Sequence, residues 1–257
     1  MKNKFYVHGT DELVDLEVDS SILINNWGRR FEVLYPESVA YYEIYKREDY
    51  FKGDCIILPG DIVVDCGGNV GIFTSMALDM GAARVLSFEP FVNNFEINKK
   101  NNPNAEVFCN AVSNKTGDKT ELLYTSSGNG GHTIIESEID RQVGLYEHKN
   151  LFVTTVTLDD IISQNYLDHI DFLKIDTEGA ELKILEGLSD TNLNKIRCIA
   201  LEYHHNVFNY DDDIFINFQQ RFLNNGFNVF TWILDNYTRM VYISRGDVFV
   251  INPKHPV

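Results

Sequence analysis

The feature that most constrains this chain begins at Gly60. From there, short branched-aliphatic runs alternate with amphipathic segments of helix length, which is the pattern of parallel strands joined by crossover helices. Strands are expected at Ile62–Cys66, Arg84–Phe88, Glu106–Cys109, Ile170–Ile175 and Arg197–Leu201. Helices are expected at Val70–Met80, Phe91–Lys100, Ala180–Gly187 and Ile214–Asn224, the last two stopping at or before a glycine. Two further runs, Phe227–Leu234 and Val248–Ile251, are expected to close the chain. Residues 1–59 read as an N-terminal cap segment, in which SVAYYEIYKREDYF has helical periodicity, and 60–257 read as the main domain. The stretch from about 112 to 157 breaks the alternation with Thr, Ser and Gly. It reads as an insertion after the third strand, near a carboxyl edge where binding loops gather.

The 38 acidic side chains against 22 basic give 22 − 38 = −16. Clustered Lys and Arg, which hold phosphate backbones and anionic membranes, are missing, so neither naked nucleic acid nor a membrane is an expected partner. The opening MKNKFYVHGT leads into polar sequence, and no apolar run approaches the roughly eighteen residues of a membrane span. A cytoplasmic location is therefore expected. Cys55, Cys66, Cys109 and Cys198 stand singly with no CxxC pair, and buried reduced thiols are expected rather than a zinc or redox site.

The loop after the first strand carries the chemistry. In DCGGNVGIFT, Gly67, Gly68 and Gly71 let the backbone turn sharply and approach a ligand. The dinucleotide fingerprint G-x-G-x-x-G fails, because Asn69 and Ile72 stand where its second and third glycines belong, and no Gly-Lys-Ser/Thr follows for a phosphate loop. What remains is D-x-G-x-N-x-G, with Asp65 at the strand end. The next strand, ARVLSFEP, places Glu89 at its carboxyl end, 89 − 65 = 24 residues on, where a carboxylate accepts both hydroxyls of a ribose. Asp65 and Glu89 are expected to give the pocket a negative lining. That suits a ligand with ammonium and sulfonium charge, such as S-adenosylmethionine. Asp65, Gly67, Gly68, Asn69, Gly71 and Glu89 form the expected cofactor set.

Taken together, VVDCGGNVGIFT, SFEP, NAVS, VTLDDII and DFLKIDTEGAELKILEGL resemble the FkbM-type methyltransferase family, over about Gly60 to His204. The resemblance implies an α/β, class I methyltransferase (Rossmann-like) fold: a seven-stranded, mostly parallel sheet with helices on both faces. It further implies S-adenosylmethionine at the carboxyl edge of the first strands, and methyl transfer, most often to a hydroxyl. Asn110 and Ala111 resemble the family's adenine-side loop, although Asn110 also suits a turn bonded to its own backbone. His132, within TSSGNGGHTIIESE, resembles an acceptor-side loop residue; the alternative is a solvated surface histidine.

KIDTEGAE brings Asp176 and Glu178 to the same carboxyl edge, where Asp176 is also counted on the cofactor side, and Glu181 begins the following helix. Capping is preferred for Glu181 and stands equally beside catalysis for Glu178. Lys174 is expected to face away from Asp176 and not to be its partner. ALEYHH carries Glu202, His204 and His205 to the adjacent strand end, about 4.8 Å away. An alcohol needs a base or a cation to lose its proton. His204 or His205 is the preferred base, titrating in the ordinary histidine range. The alternative is a divalent cation such as Mg²⁺ held by Asp176, Glu202 and His204. The acidic run Asp211–Asp213 reads as a helix start without chemistry.

These residues point to an S-adenosylmethionine-dependent O-methyltransferase acting on a small-molecule acceptor, a sugar or a secondary-metabolite intermediate, with homo-oligomerisation left open. The alternatives are N-methylation of an amide or amine, an NAD-dependent oxidoreductase disfavoured by the failed glycine spacing, and a binding module without turnover.

Overall fold

The computed structural model describes the backbone of residues 2–6, 13–17, 22–24, 30–32 and 212–214, and residues 44, 49–122, 151–204, 215–234 and 238–245 in full. Near the start, β1 (Lys2–Tyr6) pairs antiparallel with β2 (Leu13–Glu17), and β3 (Ile22–Ile24) with β4 (Arg30–Glu32). The helix expected in SVAYYEIYKREDYF falls largely outside the described residues.

The main sheet follows the expected alternation. Strands β5 (Ile62–Cys66), β6 (Arg84–Phe88) and β7 (Glu106–Phe108) are separated by α1 (Ile72–Asp79) and α2 (Val92–Asn101). A smaller three-stranded sheet comes next, from β8 (Ala111–Val112), β9 (Lys119–Glu121) and β10 (Phe152–Val156), in the order β8-β10-β9. The described part of the expected insertion is therefore ordered around a sheet of its own. Helix α3 (Leu158–Gln164) begins at Thr157, whose hydroxyl accepts from Asp160 N at 3.1 Å, leaving one fewer orphan donor at the helix start. Then follow β11 (Ile170–Ile175), α4 (Glu181–Glu186), α5 (Asp190–Leu193), β12 (Ile196–His204), α6 (Asp212–Asn224), β13 (Asn228–Ile233) and β14 (Thr238–Ser244).

The seven strands lie in the order β13-β14-β12-β11-β5-β6-β7. All ladders from β12 to β7 are parallel, and β14 runs antiparallel between β12 and β13. This is the seven-stranded, mostly parallel class I methyltransferase architecture. Strand β14 has no counterpart among the expected elements, because Thr238, Arg239 and Ser244 frame its apolar stretch with polar residues; Val248–Ile251 lies outside the described residues. Strand β12 runs three residues beyond Leu201, so Glu202 and His204 stand on the sheet's end and not on a loop.

Neighbouring side chains serve opposite faces. Val63, Phe172, Ala200 and Tyr242 pack under α1 together with Tyr50, Cys55 and Ile57, while Val64, Leu173, Ile199 and Val241 pack under α3, α4 and α6. Cys55, Cys66 and Cys198 are buried, as expected, but Cys109 is exposed because the chain leaves the sheet at Phe108. All four are free thiols. Among the described residues no helix is long and apolar enough to cross a membrane.

Candidate active site

The glycine turn leaves β5 with Gly67 at φ 82°. A Cβ there would lie 1.8 Å from the Asp176 carbonyl oxygen. Gly67 is therefore required by the neighbouring strand's backbone, in addition to any approach of a ligand that its sequence context suggests. Asp65 is corrected. It is wholly buried, with Oδ2 accepting from Thr74 Oγ1 at 2.7 Å and Ser87 Oγ at 3.3 Å, and Oδ1 3.3 Å from Lys174 Nζ. A buried carboxylate must be paired, and this one braces the turn from below instead of lining the pocket.

Lys174 is the counter-ion. Its Nζ donates to Gly67 O at 2.7 Å and stands 3.5 Å from Asp176 Oδ2. The expectation that Lys174 faces away from Asp176 fails, since residues two apart on a strand share a face. Burial would lower the lysine pKa, but Asp65 and Asp176 outweigh it and hold the ammonium charged above its ordinary value. Burial would likewise raise Asp176, yet Lys174 and His204 keep it below the usual carboxylate range.

Glu89 sits at the end of β6, 5% exposed, its Oε2 accepting from Asn69 N and its Oε1 from Phe91 N, each at 2.8 Å. Burial pushes its pKa up to about 7 against these two hydrogen bonds. The carboxylate is thus held from both sides beside the turn. There Gly67 and Asn69 are partly exposed, whereas Gly68 and Gly71 are buried. Asn110 turns its amide to Thr154 O at 3.2 Å, and Ala111 is buried in the β8–β10 ladder. The small sheet thus holds both residues.

At the neighbouring edge the ends of β11 and β12 converge. His204 Nδ1 lies 3.1 Å from Glu181 Oε1, and its Nε2 lies 3.4 Å from Glu178 Oε2 and 3.9 Å from Glu202 Oε1. Burial alone would lower its pKa, but Glu178 and Glu181 raise it well above the ordinary histidine value. Glu181 also accepts from Thr177 N at 3.2 Å and Gly179 N at 2.8 Å, so one oxygen holds both the loop before α4 and the imidazole, while no side chain caps the helix itself. Glu178 is held at φ 56°, a conformation costing a non-glycine residue about 1 to 3 kcal/mol. Tyr50 supplies a contact with no signal in its sequence context: its hydroxyl lies 2.8 Å from Asp176 Oδ2 and 3.0 Å from Glu202 Oε2. His132 and His205 lie outside the described residues.

The residues present fit S-adenosylmethionine: a glycine turn with partly exposed backbone, a carboxylate held beside it, and an acidic edge beyond. Asp176, Glu202 and His204 also come within 4.8 Å of one another, the spacing of a cation site. As arranged, however, both ring nitrogens of His204 face carboxylates and the Tyr50 hydroxyl bridges the other two, so an imidazolium already supplies positive charge there.

Glu89→Ala is expected to weaken S-adenosylmethionine binding by about 1 to 3 kcal/mol, through loss of charge-assisted ribose hydrogen bonds, with the fold intact. Calorimetry decides it, and wild-type affinity would remove Glu89 from the site. The sign of the pH effect also follows. Glu89 must ionise to hold hydroxyls and cationic charge, so affinity should improve as pH rises through about 7. Stability should move the other way: with the folded pKa raised, the contribution of Glu89 is present below the ordinary value of 4.5 and lost as pH passes about 7. A flat affinity profile would contradict this account.

Comparison with known proteins agrees with the geometry. The chain is 30% identical over 199 residues to the AMB antimetabolite synthetase AmbE of Pseudomonas aeruginosa, covering 64% of this chain but 9% of the synthetase. It is 29% identical over 193 residues to the 31-O-demethyl-FK506 methyltransferase FkbM of Streptomyces tacrolimicus, covering 64% of this chain and 73% of that enzyme. A crystal structure of methyltransferase FkbM from Methylobacillus flagellatus superposes with a TM-score of 0.48 at 16% identity, over 79% of this chain and 47% of that one. The Methyltransferase FkbM domain matches residues 65–229, from the buried aspartate beneath the glycine turn to β13. With its sheet order and its glycine turn, this chain belongs to the FkbM family of S-adenosylmethionine-dependent methyltransferases.

Proposed function

We propose that the chain methylates a hydroxyl of a small polar acceptor, a sugar or a secondary-metabolite intermediate. The observation that carries this is the convergence of Asp176, Glu178, Glu202 and His204 on one edge, beside the turn that receives the cofactor. The FkbM relative, named for O-methylation, supports a hydroxyl as the accepting atom. When bound, S-adenosylmethionine supplies an electrophilic methyl group on a cationic sulfur. The chain's own residues manage the proton: as the acceptor oxygen would take the methyl group from sulfur, which keeps the electron pair of the broken bond, the hydroxyl hydrogen would leave to His204 Nε2, on the side of Glu178 and Glu202, once the imidazolium has given up its own proton. Glu181, on Nδ1, fixes the ring's orientation and stabilises the imidazolium that forms. Because Glu178 and Glu181 raise the histidine pKa, turnover should rise above the ordinary histidine range, not within it.

A screen of sugars, polyols and tailoring intermediates for a gain of about 14 Da, run with S-adenosylmethionine and the full chain, tests the reading. Methylated amines and no methylated alcohols would replace it with N-methylation. A chelator separates the proton from the cation account. Full activity in EDTA fits His204 as base, whereas loss restored by Mg²⁺ would make Asp176, Glu202 and His204 ligands.

A further inference from the structure

Helix α2 presents an unusual face. Asn94 and Asn98 lie one helical turn apart, and Asn102 follows one turn further on as the C-cap. All three are at most 2% exposed, where an unsatisfied amide would be costly. Their amides meet the glycine turn residue by residue. Asn98 Nδ2 donates to Gly68 O at 3.4 Å and Ser87 Oγ at 3.0 Å, and Asn94 Nδ2 to Asn69 Oδ1 at 3.0 Å. Asn101 Nδ2 donates to Val70 O and Asn102 Nδ2 to Gly71 O, both at 2.9 Å. A Cβ on Gly68 would come within 2.7 Å of the Asn98 amide and one on Gly71 within 2.2 Å of the Asn102 amide. The glycines are small so that the asparagines can reach the turn.

Within this row Asn94 differs from its neighbours. Asn98, Asn101 and Asn102 hold backbone carbonyls, which is what keeping the turn folded requires. Asn94 instead holds a side chain, that of Asn69, which sits in the left-handed region at φ 46° and gives its own N–H to Glu89. We propose that Asn94 is a positioning residue for cofactor binding, fixing Asn69 so that its N–H aims the Glu89 carboxylate at the ribose. This rests on the assignment of Glu89 to the ribose. With Asn94 in place the carboxylate is oriented before the ligand arrives, and no ordering cost falls on binding.

A double-mutant cycle read by calorimetry with S-adenosylmethionine and S-adenosylhomocysteine on the full chain tests the relay. Asn94→Ala is expected to weaken both ligands by about tenfold. Glu89→Ala is expected to weaken them by at least as much, and the double variant should match Glu89→Ala within about twofold, since a residue acting through Glu89 has nothing left to orient. Asn69→Gly removes the other end of the same hydrogen bond, together with the one Asn69 Oδ1 accepts from Val70 N at 2.7 Å, tolerates the left-handed backbone, and should lose at least as much as Asn94→Ala. It also replaces Asn94→Ala in the cycle if that variant melts early. Losses that multiply in the double variant, or wild-type affinity in Asn94→Ala beside a weakened Glu89→Ala, would overturn the proposal and leave the ribose assignment standing. Wild-type affinity in Glu89→Ala itself would remove both.

Discussion

Replacing Lys174 by methionine is expected to lower the free energy of unfolding by about 3 to 5 kcal/mol, the cost of stranding a buried charge. Methionine fills much the same volume, but Asp65 and Asp176 lose the ammonium at 3.3 and 3.5 Å, and Gly67 O loses its donor. Adding Asp65→Asn should recover part of the loss, because the damage lies in the unpaired carboxylate more than in the missing lysine. Denaturant midpoints measure both. A Lys174→Met protein as stable as wild type would mean that the buried aspartates are held by something else. The sign of the pH dependence follows from the two shifts. The contribution of Lys174 is complete below the ordinary lysine value of 10.5 and is lost only as pH climbs through its raised folded value. The contribution of Asp176 is present above 3.8 and disappears as pH falls below that value. Stability from this cluster should therefore be level across neutral pH.

His204→Asn is expected to cut methyl transfer by about 10² to 10⁴ while leaving S-adenosylmethionine affinity unchanged, the mark of a group used only in the transition state. The wild-type rate should rise with pH above the ordinary histidine range, and Glu181→Gln should pull that rise to lower pH by removing the carboxylate on Nδ1. Rate profiles on an acceptor found by the mass-shift screen provide the comparison. Should His204→Asn turn over normally and EDTA do no harm, proton removal passes to His205 or to His132 in its glycine-flanked loop.

What could be read from the sequence, and what could not, divides along physical lines. Strands β5, β6 and β11 were legible to the residue because buried parallel strands are continuous apolar runs closed by polar turns. The place of Glu89 at a strand end was legible too. Asp65 was misjudged because a strand-end carboxylate looks alike whether it faces a pocket or an ion pair. The warning was Lys174 itself, a lone cation inside IDFLKI, which only a buried partner can explain. The row formed by Asn94, Asn98 and Asn102 had a signal too, since asparagines spaced by four in a helix share a face. Tyr50 had none. Its role depends on a contact across 126 positions to Asp176 and 152 to Glu202, which local periodicity does not carry.

Tyr50, Cys55 and Ile57 share one core cluster with Phe73 and Phe172, and the Tyr50 ring meets the Phe73 ring edge-on at 5.4 Å. The match to the FkbM domain starts at residue 65, so its border falls inside the folded unit. A chain trimmed to residues 65–229 would keep Glu89, His204 and the glycine turn, yet would lose β14 with most of β5 and β13, open one face of the central sheet to water and unlatch Asp176 from Glu202. Grafting this catalytic unit onto another protein therefore means carrying along both residues 50–64, which cover that face, and the β13–β14 pair that completes the sheet.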